Sequence, residues 1–358
     1  MGRRKRILAI NPGSTSTKIA VYEGSKVLFL KKIQHSVDEL SQFKKIFDQY
    51  QFRKNIIIKE LTDAGIELTF FDGIIGRGGI IKPMEGGVYP VNEKMIHDLQ
   101  HPMGEHVANL GGVIAYELAK LSNGCHAFIA DPPCVDEMDE IAKVTGIPEI
   151  TRISLLHALN QKAVARRYAK ENGKKYEDLN IIVAHMGGGT SVGAHKKGRI
   201  IDTNNGLNGD GPFAPERAGN VPSDQLVNLC FSGKYTQEEI HKKICGNAGL
   251  VAHLGTNNTI EIENRILKGD KLADLIYSAM AYQVSKEIGA MSTVLMGEID
   301  VIILTGGVAN CGPFIKMIKK RVQHIAPIIV YPGEDEMLAL ATIGLSVLED
   351  EVKAKEYK

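Results

Sequence analysis

The stretch that decides the fold of this chain reads Ile181-Ile-Val-Ala-His-Met-Gly-Gly-Gly-Thr-Ser-Val-Gly-Ala-His195. An apolar run, a glycine-rich turn with hydroxyls and a second apolar run are typical of a strand, a tight turn and a returning strand. Glycine lets the backbone approach a ligand closely, and successive N–H groups in such a turn form a concavity for anions, so the turn suits phosphate. Hairpins also use glycines for geometry alone, so the stretch needs support from elsewhere in the chain.

The same pattern occurs near the N-terminus, in the stretch Ile7-Leu-Ala-Ile-Asn-Pro-Gly-Ser-Thr-Ser-Thr-Lys-Ile-Ala20. The two stretches align without a gap and place Asn11 on His185. A second pair follows in the same order, because 72–80 resembles 300–308. Two matches in one order indicate two related domains, since the period is far too long for the stacking unit of a solenoid.

The composition is that of a globular protein in which positive and negative charges nearly balance. The 358 residues are 44% hydrophobic and 24% charged, with 43 Lys and Arg against 42 Asp and Glu, so nothing draws the chain to nucleic acid or to an anionic membrane. The basic run Arg3 to Arg6 precedes a strand pattern rather than a long apolar segment, and we expect a solvated tail. Five cysteines without a C-x-x-C pair suggest neither a disulfide framework nor a zinc site, and a cytoplasmic location is expected.

Several polar residues follow predicted strands, where ligands gather in open α/β sheets. Arg77 stands beside two glycines, and Asp131 comes before two prolines at the end of an apolar run. The long glycine- and proline-rich loop 199–219 contains Arg217, its best candidate for a ligand-facing charge. Near the C-terminus, Gly306-Gly307 forms a turn from strand to helix, where a nucleotide can approach closely.

Two histidine patterns need a helix to be interpreted. Ser154 is a plausible N-cap for a helix from Leu155 to about Lys170, with His157 in its first turn. His97 and His101 are spaced as i and i+4, which places both on one helical face at metal-ligand spacing.

Jointly these motifs resemble those of the actin-like ATPase superfamily of sugar kinases, Hsp70 and actin. Within it the chain is most similar to the acetokinase family of acetate and butyrate kinases, on the butyrate and branched-chain side. The resemblance implies an α/β fold of two duplicated actin-like (ribonuclease H-like) domains, with mixed sheets flanked by helices and a cleft between them. We expect domains at 1–150 and 151–336, an insertion in the second, and a last helix at about 337–350 that packs back on the first. The motifs are Asn11 to Lys18, Gly76 to Gly79, Ala130-Asp131, His157, His185 to Thr190, Ala214 to Gly219 and Thr305 to Ala309.

The family implies reversible, direct in-line transfer of the γ-phosphoryl group of ATP to butyrate or a similar short- or branched-chain fatty acid, with acyl phosphate and ADP as products and with Mg²⁺ as cofactor. The catalytic residues carried over are Arg77, Asp131, His157, His185 and Arg217. The nucleotide- and phosphate-binding residues carried over are Asn11, Ser14, Ser16, Lys18, Gly187, Gly188, Gly189, Thr190, Gly306, Gly307 and Val308. The metal partner maps to Asp335 or Glu336, and the resemblance leaves that choice open.

The chain also departs from the acetate-kinase pattern. Gly79 stands in a run where those enzymes have Arg-Val-Val, and Leu156 replaces their Phe before the helical histidine. Both changes remove bulk at the expected carboxylate pocket, and one methylene is worth roughly 1–3 kcal/mol in such a pocket, so a longer acid than acetate is expected. His106 lies in a run that differs from the acetate-kinase motif, which leaves its role open.

Two alternatives use the same fold. A metal-dependent protein of the tRNA threonylcarbamoyl-transfer type would use the His97/His101 pair and the run Gly306-Gly307-Val308. A non-kinase actin-like ATPase would couple ATP hydrolysis to partner binding. For the kinase, the family implies a homodimer or higher homo-oligomer, with no nucleic-acid or membrane partner.

Overall fold

The computed structural model describes residues 3–122 and 124–358. Its strands form two mixed sheets, as the family resemblance implies. The strands are β1 Arg6–Pro12, β2 Ser16–Glu23, β3 Lys26–Gln34, β4 Gly73–Arg77, β5 Val88–Pro90, β6 His126–Ala130, β7 Asn180–Met186, β8 Thr190–Lys196, β9 Arg199–Thr203, β10 Val301–Gly306 and β11 Ile328–Pro332.

Helices occupy most of the connections between these strands. They are α1 Val37–Ser41, α2 Tyr50–Asp63, α3 Glu93–Gln100, α4 Asn109–Lys120, α5 Glu140–Lys143, α6 Ala158–Glu171, α7 Ser223–Cys230, α8 Gln237–Ile244, α9 Gly249–Leu254, α10 Thr259–Leu267, α11 Lys271–Val294, α12 Gly312–Val322 and α13 Glu336–Leu348. Within the described residues, no helix has both the length and the apolar character needed to cross a bilayer.

The two sheets repeat one topology. The first has the order β3-β2-β1-β4-β6-β5 and the second the order β11-β10-β7-β8-β9. In each, a three-stranded antiparallel meander (β1 to β3, β7 to β9) continues into a parallel strand, β4 beside β1 and β10 beside β7. The duplication predicted from the two sequence repeats is confirmed by this match of order and direction.

The extra sequence of the second half lies between β9 and β10. The first sheet has α1 and α2 at the equivalent position, whereas the second has α7 to α11. The long helix α11 contributes Tyr277, Met280, Val284 and Ile288 to the main core of the second half. The predicted insertion is therefore a set of helices, most of them short, that ends in a helix buried against the sheet.

The chain divides into two compact units, residues 3–135 with 335–358 and residues 136–334. The segment after Val135 belongs to the second unit, because the Asp139 backbone N–H donates to the Ile201 carbonyl and Glu137 pairs with Lys162. The expected boundary at 150 lies beyond this division. The last helix belongs to the first unit, and a Cβ at Gly344 would lie 2.4 Å from the Ile7 side chain on β1.

Candidate active site

In the first unit, the predicted polar residues lie at the carboxyl ends of neighbouring parallel strands. Asn11 is near the end of β1, Arg77 ends β4 and Asp131 follows β6. These three strands are adjacent in the sheet, so their ends meet at one edge. This is the edge at which open α/β sheets bind ligands.

Glu336 joins two of these residues. Its Oε1 lies 2.9 Å from Arg77 Nη1, and its Oε2 accepts a hydrogen bond from Asn11 Nδ2. Asp335 has a different task, because its Oδ1 accepts from the Leu338 backbone N–H at 3.0 Å as the N-cap of α13. Of the two acidic residues left open by the sequence, Glu336 is thus the one in contact with Arg77 and Asn11.

Asp131 is buried and has a left-handed backbone with φ of 40°. Its Oδ1 accepts from the Gly87 backbone N–H at 2.7 Å. His106, also in this unit, accepts the Ala108 backbone N–H on Nδ1, and burial together with the Arg77 charge lowers the His106 pKa. The His106 ring near Arg77 is therefore neutral and carries its proton on Nε2.

A buried arginine that the sequence analysis missed supports the first glycine turn. Arg53 on α2 is fully buried, and its Nη1 donates to the Gly13 and Ser16 carbonyls at 2.9 and 3.1 Å. The candidate hydroxyls nearby differ in exposure, since Ser14 is exposed and Ser16 is half-buried, and the Lys18 side chain on β2 is exposed. No local pattern marks Arg53, because it lies on a largely polar helix.

In the second unit, His157 and His185 stack face to face. Their ring centroids are 3.8 Å apart and their planes differ by 11°. The helix that was expected to begin after Ser154 begins only at Ala158, so the predicted N-cap is wrong and His157 itself precedes the first turn. The Leu155 carbonyl accepts the Gly206 backbone N–H at 3.1 Å, which ties this segment to a loop instead of a helix.

His185 is held in the core of this unit. Its Nδ1 lies 2.9 Å from Asn160 Oδ1, an acceptor, so Nδ1 carries a proton. Its Nε2 lies 3.1 Å from Glu334 Oε1, but this buried nitrogen has no partner with hydrogen-bond geometry in the described residues. A protonated His185 would therefore face a carboxylate, and a neutral one would present a lone pair.

Two carboxylates that the sequence analysis did not assign flank the glycine turn 187–189. A Cβ at Gly187 would lie 3.2 Å from Glu334 Oε1, and one at Gly188 would lie 3.2 Å from Glu216 Oε2. At Gly189 a Cβ would meet the Gly206 carbonyl oxygen at 2.2 Å. Thr190, which begins β8, is buried. Glu334 could have been suspected from the acidic group that precedes the last helix, and Glu216 from its place in the motif Ala214 to Gly219.

The second glycine pair lies at the end of β10. Gly306 has φ of 90°, and a Cβ there would lie 2.3 Å from the Met186 carbonyl oxygen at the end of β7. Both the backbone conformation and this close contact require glycine at position 306. Gly307 is exposed and would leave a Cβ in open space, while Val308 is buried in the 3₁₀ turn Gly307–Asn310. Gly307 is the residue of this pair that a ligand can approach.

Arg217 is engaged with its own loop. Its Nε donates to the Leu207 carbonyl at 2.8 Å and its Nη1 to the Glu216 carbonyl at 3.2 Å. The Glu216 carboxylate lies 3.6 Å from the same Nη1. The guanidinium thus holds the loop next to the glycine turn, and part of its donor set is already used.

The two residues expected to shape the carboxylate pocket have different surroundings. A Cβ at Gly79 would lie 2.2 Å from Asn109 Oδ1, so close packing against α4 already requires glycine there. Leu156 is buried next to His157 in the second unit. Packing against α4 therefore explains the glycine at position 79, and the comparison with the acetate-kinase pattern did not show this cause.

The His97/His101 pair does not form a metal cluster in the described residues. The two rings lie 4.8 Å apart, and His101 Nδ1 bonds the His97 carbonyl at 3.0 Å. The His97 side chain is 71% exposed. This geometry is that of two surface histidines at a helix end.

A family model described as the acetokinase family matches residues 150–340. The chain belongs to the acetokinase family. It is 56% identical to butyrate kinase 2 of Clostridium acetobutylicum over 99% of both chains. It is 52% identical to a probable butyrate kinase of Bacteroides thetaiotaomicron, over 99% of this chain and 100% of that one.

Solved structures share the fold of this chain. An acetate kinase of Porphyromonas gingivalis superposes with a TM-score of 0.78 at 20% identity, covering 96% of this chain and 100% of that one. A propionate kinase of Francisella tularensis superposes with a TM-score of 0.75 at 18% identity, covering 95% and 98%. The predicted fold class, two duplicated actin-like domains with mixed sheets, is confirmed.

Proposed function

We propose that this chain is an ATP-dependent carboxylate kinase. It transfers the γ-phosphoryl group of ATP to butyrate, or to a similar short- or branched-chain fatty acid, and forms acyl phosphate and ADP reversibly. Similarity to butyrate kinases along nearly the whole chain is the observation that carries this proposal. The relatives at 52% and 56% identity are named as butyrate kinases, which supports an acid longer than acetate.

In the second unit, we propose that the turn Gly187 to Thr190 binds phosphate through its backbone and that Gly306 to Val308 hold the nucleoside. Phosphoryl transfer needs in-line positioning and neutralisation of charge, with little covalent chemistry from the protein. His157 and His185 donate to the phosphoryl oxygens in the transition state, His185 as an imidazolium because its Nδ1 proton is already donated to Asn160. Their stacked geometry and their fixed Nδ1 partners support this role, since both rings are held in one orientation.

In the first unit, Asn11, Ser14, Ser16 and Lys18 form the second phosphate-binding segment of the proposal. We propose that Arg77 in the first unit binds the carboxylate or the moving phosphoryl group, because a guanidinium can donate two parallel hydrogen bonds to such oxygens, and that Arg217 in the second unit has a role of the same kind. Asp131 orients a positively charged group. In the structure Arg77 already binds a carboxylate, that of Glu336, which supports its affinity for one.

Glu336 is our candidate for the Mg²⁺ partner, and Asp335 is the cap of the helix. Within the described residues no three candidate ligands cluster. That pattern fits Mg²⁺ in a kinase, which takes one or two carboxylates and completes its shell with waters and substrate phosphates. When bound, Mg²⁺ supplies charge neutralisation on the nucleotide, and Arg77 and Asn11 orient the Glu336 oxygens that would face it.

Two further properties of the proposed kinase are its location in the cell and its oligomeric state. We propose a cytoplasmic enzyme, which agrees with five free thiols. We propose a homodimer or higher homo-oligomer, as the family implies. Light scattering after size exclusion tests the assembly, and a single species at 39.1 kDa would contradict it.

The direct test is detection of acyl phosphate as its hydroxamate, with ATP, Mg²⁺ and a panel of acetate, propionate, butyrate, isobutyrate and valerate. We expect kcat/KM for butyrate or isobutyrate to exceed that for acetate by roughly tenfold or more. ADP formation that ignores the carboxylate would favour the actin-like ATPase alternative. Bound iron or zinc without butyrate-dependent ADP would favour the threonylcarbamoyl-transfer type.

The proposed roles are tested by His185→Ala, with His241→Ala as control. We expect the His185 variant to lose roughly 100-fold or more in kcat, because a transition-state donor is removed. His241 is an exposed residue of α8, and its loss should leave kcat within about twofold. A His185 variant within a few-fold of wild type would remove His185 from the catalytic set and leave the kinase proposal standing.

A further inference from the structure

A buried chain of hydrogen bonds leads to His157 from the core of the second unit. The Tyr176 hydroxyl lies 2.6 Å from His195 Nδ1, and His195 Nε2 lies 2.9 Å from Gln161 Oε1. Gln161 Nε2 is 2.8 Å from Ser191 Oγ, which is 2.9 Å from His157 Nδ1. Gln161, Ser191 and His195 are fully buried, so these bonds are shielded from bulk water.

A glycine makes room for this chain. Ser191, Gly193 and His195 alternate along β8 and therefore share one face of the sheet. A Cβ at Gly193 would lie 2.5 Å from Gln161 Oε1 and 3.2 Å from His195 Nε2. The Gln161 side chain can thus cross the strand between Ser191 and His195 only because position 193 has no side chain.

The orientation of the Gln161 amide sets the direction of the chain. Its Nε2 is 3.1 Å from the Ser191 carbonyl oxygen, which can only accept, so the nitrogen must be on that side. The amide oxygen then faces His195 Nε2, which must donate to it. Burial, with the Lys162 and Arg166 charges, holds the His195 pKa well below its usual value. His195 is therefore neutral, and its Nδ1 accepts from Tyr176.

The Ser191 hydroxyl links the Gln161 amide to His157 and determines which atom donates in the bond to His157 Nδ1. Its oxygen receives two N–H donors, Gln161 Nε2 at 2.8 Å and the His157 backbone N–H at 3.4 Å. A hydroxyl has two acceptor positions and one proton, so the remaining contact to His157 Nδ1 uses the Ser191 proton. His157 Nδ1 accepts, and the ring carries its proton on Nε2.

We propose that Ser191, Gln161 and His195 are positioning residues that hold His157 as the Nε2–H tautomer. The ring then has a donor on Nε2 without needing to be charged. Its role in transfer rests on the proposed kinase function, in which that Nε2–H donates to a phosphoryl oxygen. The tautomer itself is a property of the free protein.

Nitrogen-15 NMR of histidine-labelled protein without ligand tests the tautomer, with the His157 signals assigned from their loss in His157→Gln. We expect Nδ1 at the shift of an unprotonated nitrogen and Nε2 at that of a protonated one. In Ser191→Ala the two signals should move toward the average of both tautomers. A protonated Nδ1 in the wild type, or an unchanged His157 spectrum in Ser191→Ala, would overturn the proposal.

Kinetics test the consequence. We expect Ser191→Ala to lower kcat by roughly tenfold or more while KM for ATP changes by less than about threefold. Gly193→Ala should act in the same direction, because its Cβ displaces Gln161 and removes no hydrogen-bonding group.

The matched control is Ser285→Ala, which removes a buried hydroxyl of the same unit that donates to the Ala281 carbonyl. It should leave the His157 spectrum unchanged and kcat within about twofold. Equal losses of kcat in Ser191→Ala and Ser285→Ala would indicate a merely structural role. Wild-type protein with the expected spectrum but no carboxylate-dependent activity would refute the kinase proposal alone.

Discussion

Arg53 shows how one buried cation can shape a turn. Its partners are the carbonyl oxygens of the turn at Gly13 to Ser16, the Thr17 hydroxyl and the Gln49 amide oxygen. Burial lowers the Arg53 pKa to about 10, so the side chain stays charged at neutral pH. Because the turn carbonyls converge on Arg53, the turn conformation depends on a residue far from it in sequence.

We therefore expect Arg53→Met to destabilise the first unit by about 3 kcal/mol, since several buried acceptors lose their donor. Urea unfolding followed by circular dichroism measures the shift of the transition. Lys59→Met is the matched control, because Lys59 is an exposed residue of the same helix and its loss should cost less than about 0.5 kcal/mol. Equal midpoints for the two variants would show that Arg53 is not needed for the fold.

Leu156 allows a sharper test of acid preference than Gly79 does. At Gly79 any side chain would collide with Asn109, so a substitution there would confound packing with selectivity. Leu156→Phe adds bulk beside His157, and we expect kcat/KM for butyrate to fall roughly tenfold relative to acetate. The same assay with Leu159→Phe, a change at another buried position near the start of α6, is the control for overpacking. A butyrate-to-acetate ratio that stays constant in Leu156→Phe would remove this residue from the pocket.

At the scale of single residues, the sequence predicted candidate site residues that directly follow strands. It did not predict residues whose contacts are with segments distant in sequence. Arg77 and Asp131 were predicted from their positions after strands, because the ends of parallel strands meet at one edge of a sheet, whereas Asn11 was predicted from the internal repeat and the family resemblance. Arg53, Gln161 and Glu334 were missed as site residues because their contacts join segments that are distant in sequence, and no local period marks them.

Between elements, glycines let a helix approach a strand at backbone distance. In the first unit, a Cβ at Gly111 on α4 would lie 2.3 Å from the Arg77 carbonyl oxygen. A Cβ at Gly76 on β4 would lie 2.0 Å from the Gly111 carbonyl oxygen. The backbone of Arg77, a proposed catalytic residue, is thus in direct contact with α4, and the helix sets its position.

Substituting alanine for a helical glycine should therefore change stability in opposite directions at two positions, one in each unit. Gly111→Ala should destabilise the first unit by about 3 kcal/mol or more, because no flexible group can move out of the way. Gly289→Ala on α11 has open space for its Cβ and should stabilise by roughly 0.5–1 kcal/mol through helix propensity. Thermal unfolding compares them, and a Gly111 variant as stable as the wild type would refute the close approach.

The start of α6 illustrates a limit on predicting elements from sequence. Ser154 has the residue type of an N-cap and precedes an apolar period, yet the helix begins at Ala158. The His157 ring bonds Ser191 and the Leu155 carbonyl bonds Gly206, so contacts outside the segment hold it out of the helix. By contrast, the last helix, α13, was predicted to within two residues, because a long apolar period needs no outside information.

For the whole chain, the internal repeat carried most of the fold prediction, since two motif pairs in one order imply two copies of one topology. The sequence did not show where the units divide. That division depends on contacts such as Glu137 with Lys162 and on the return of α13 to the first unit, and such contacts leave no trace in a local pattern.

The second unit contains three carboxyl groups whose pKa values are raised, first of all by burial: Asp202, Asp210 and Glu287. A carboxyl with a raised pKa binds a proton in the folded state that the unfolded chain has already released. Its stabilising contribution is therefore fully present below the ordinary carboxyl pKa and is lost as pH rises through the raised value. The contribution of these three groups to the stability of the unit is therefore smaller at neutral pH than at mildly acidic pH.

Asp210→Asn tests this sign, because the amide keeps an oxygen that can accept the Asn205 backbone N–H while removing the charge. We expect its Tm to exceed that of the wild type at about pH 8 and the difference to shrink as pH falls and the wild-type carboxyl takes up its proton. Asp178→Asn, an exposed change in the same unit, should show no such trend. Differential scanning calorimetry across this range measures both, and a stabilisation of Asp210→Asn that grows as pH falls would contradict the raised pKa.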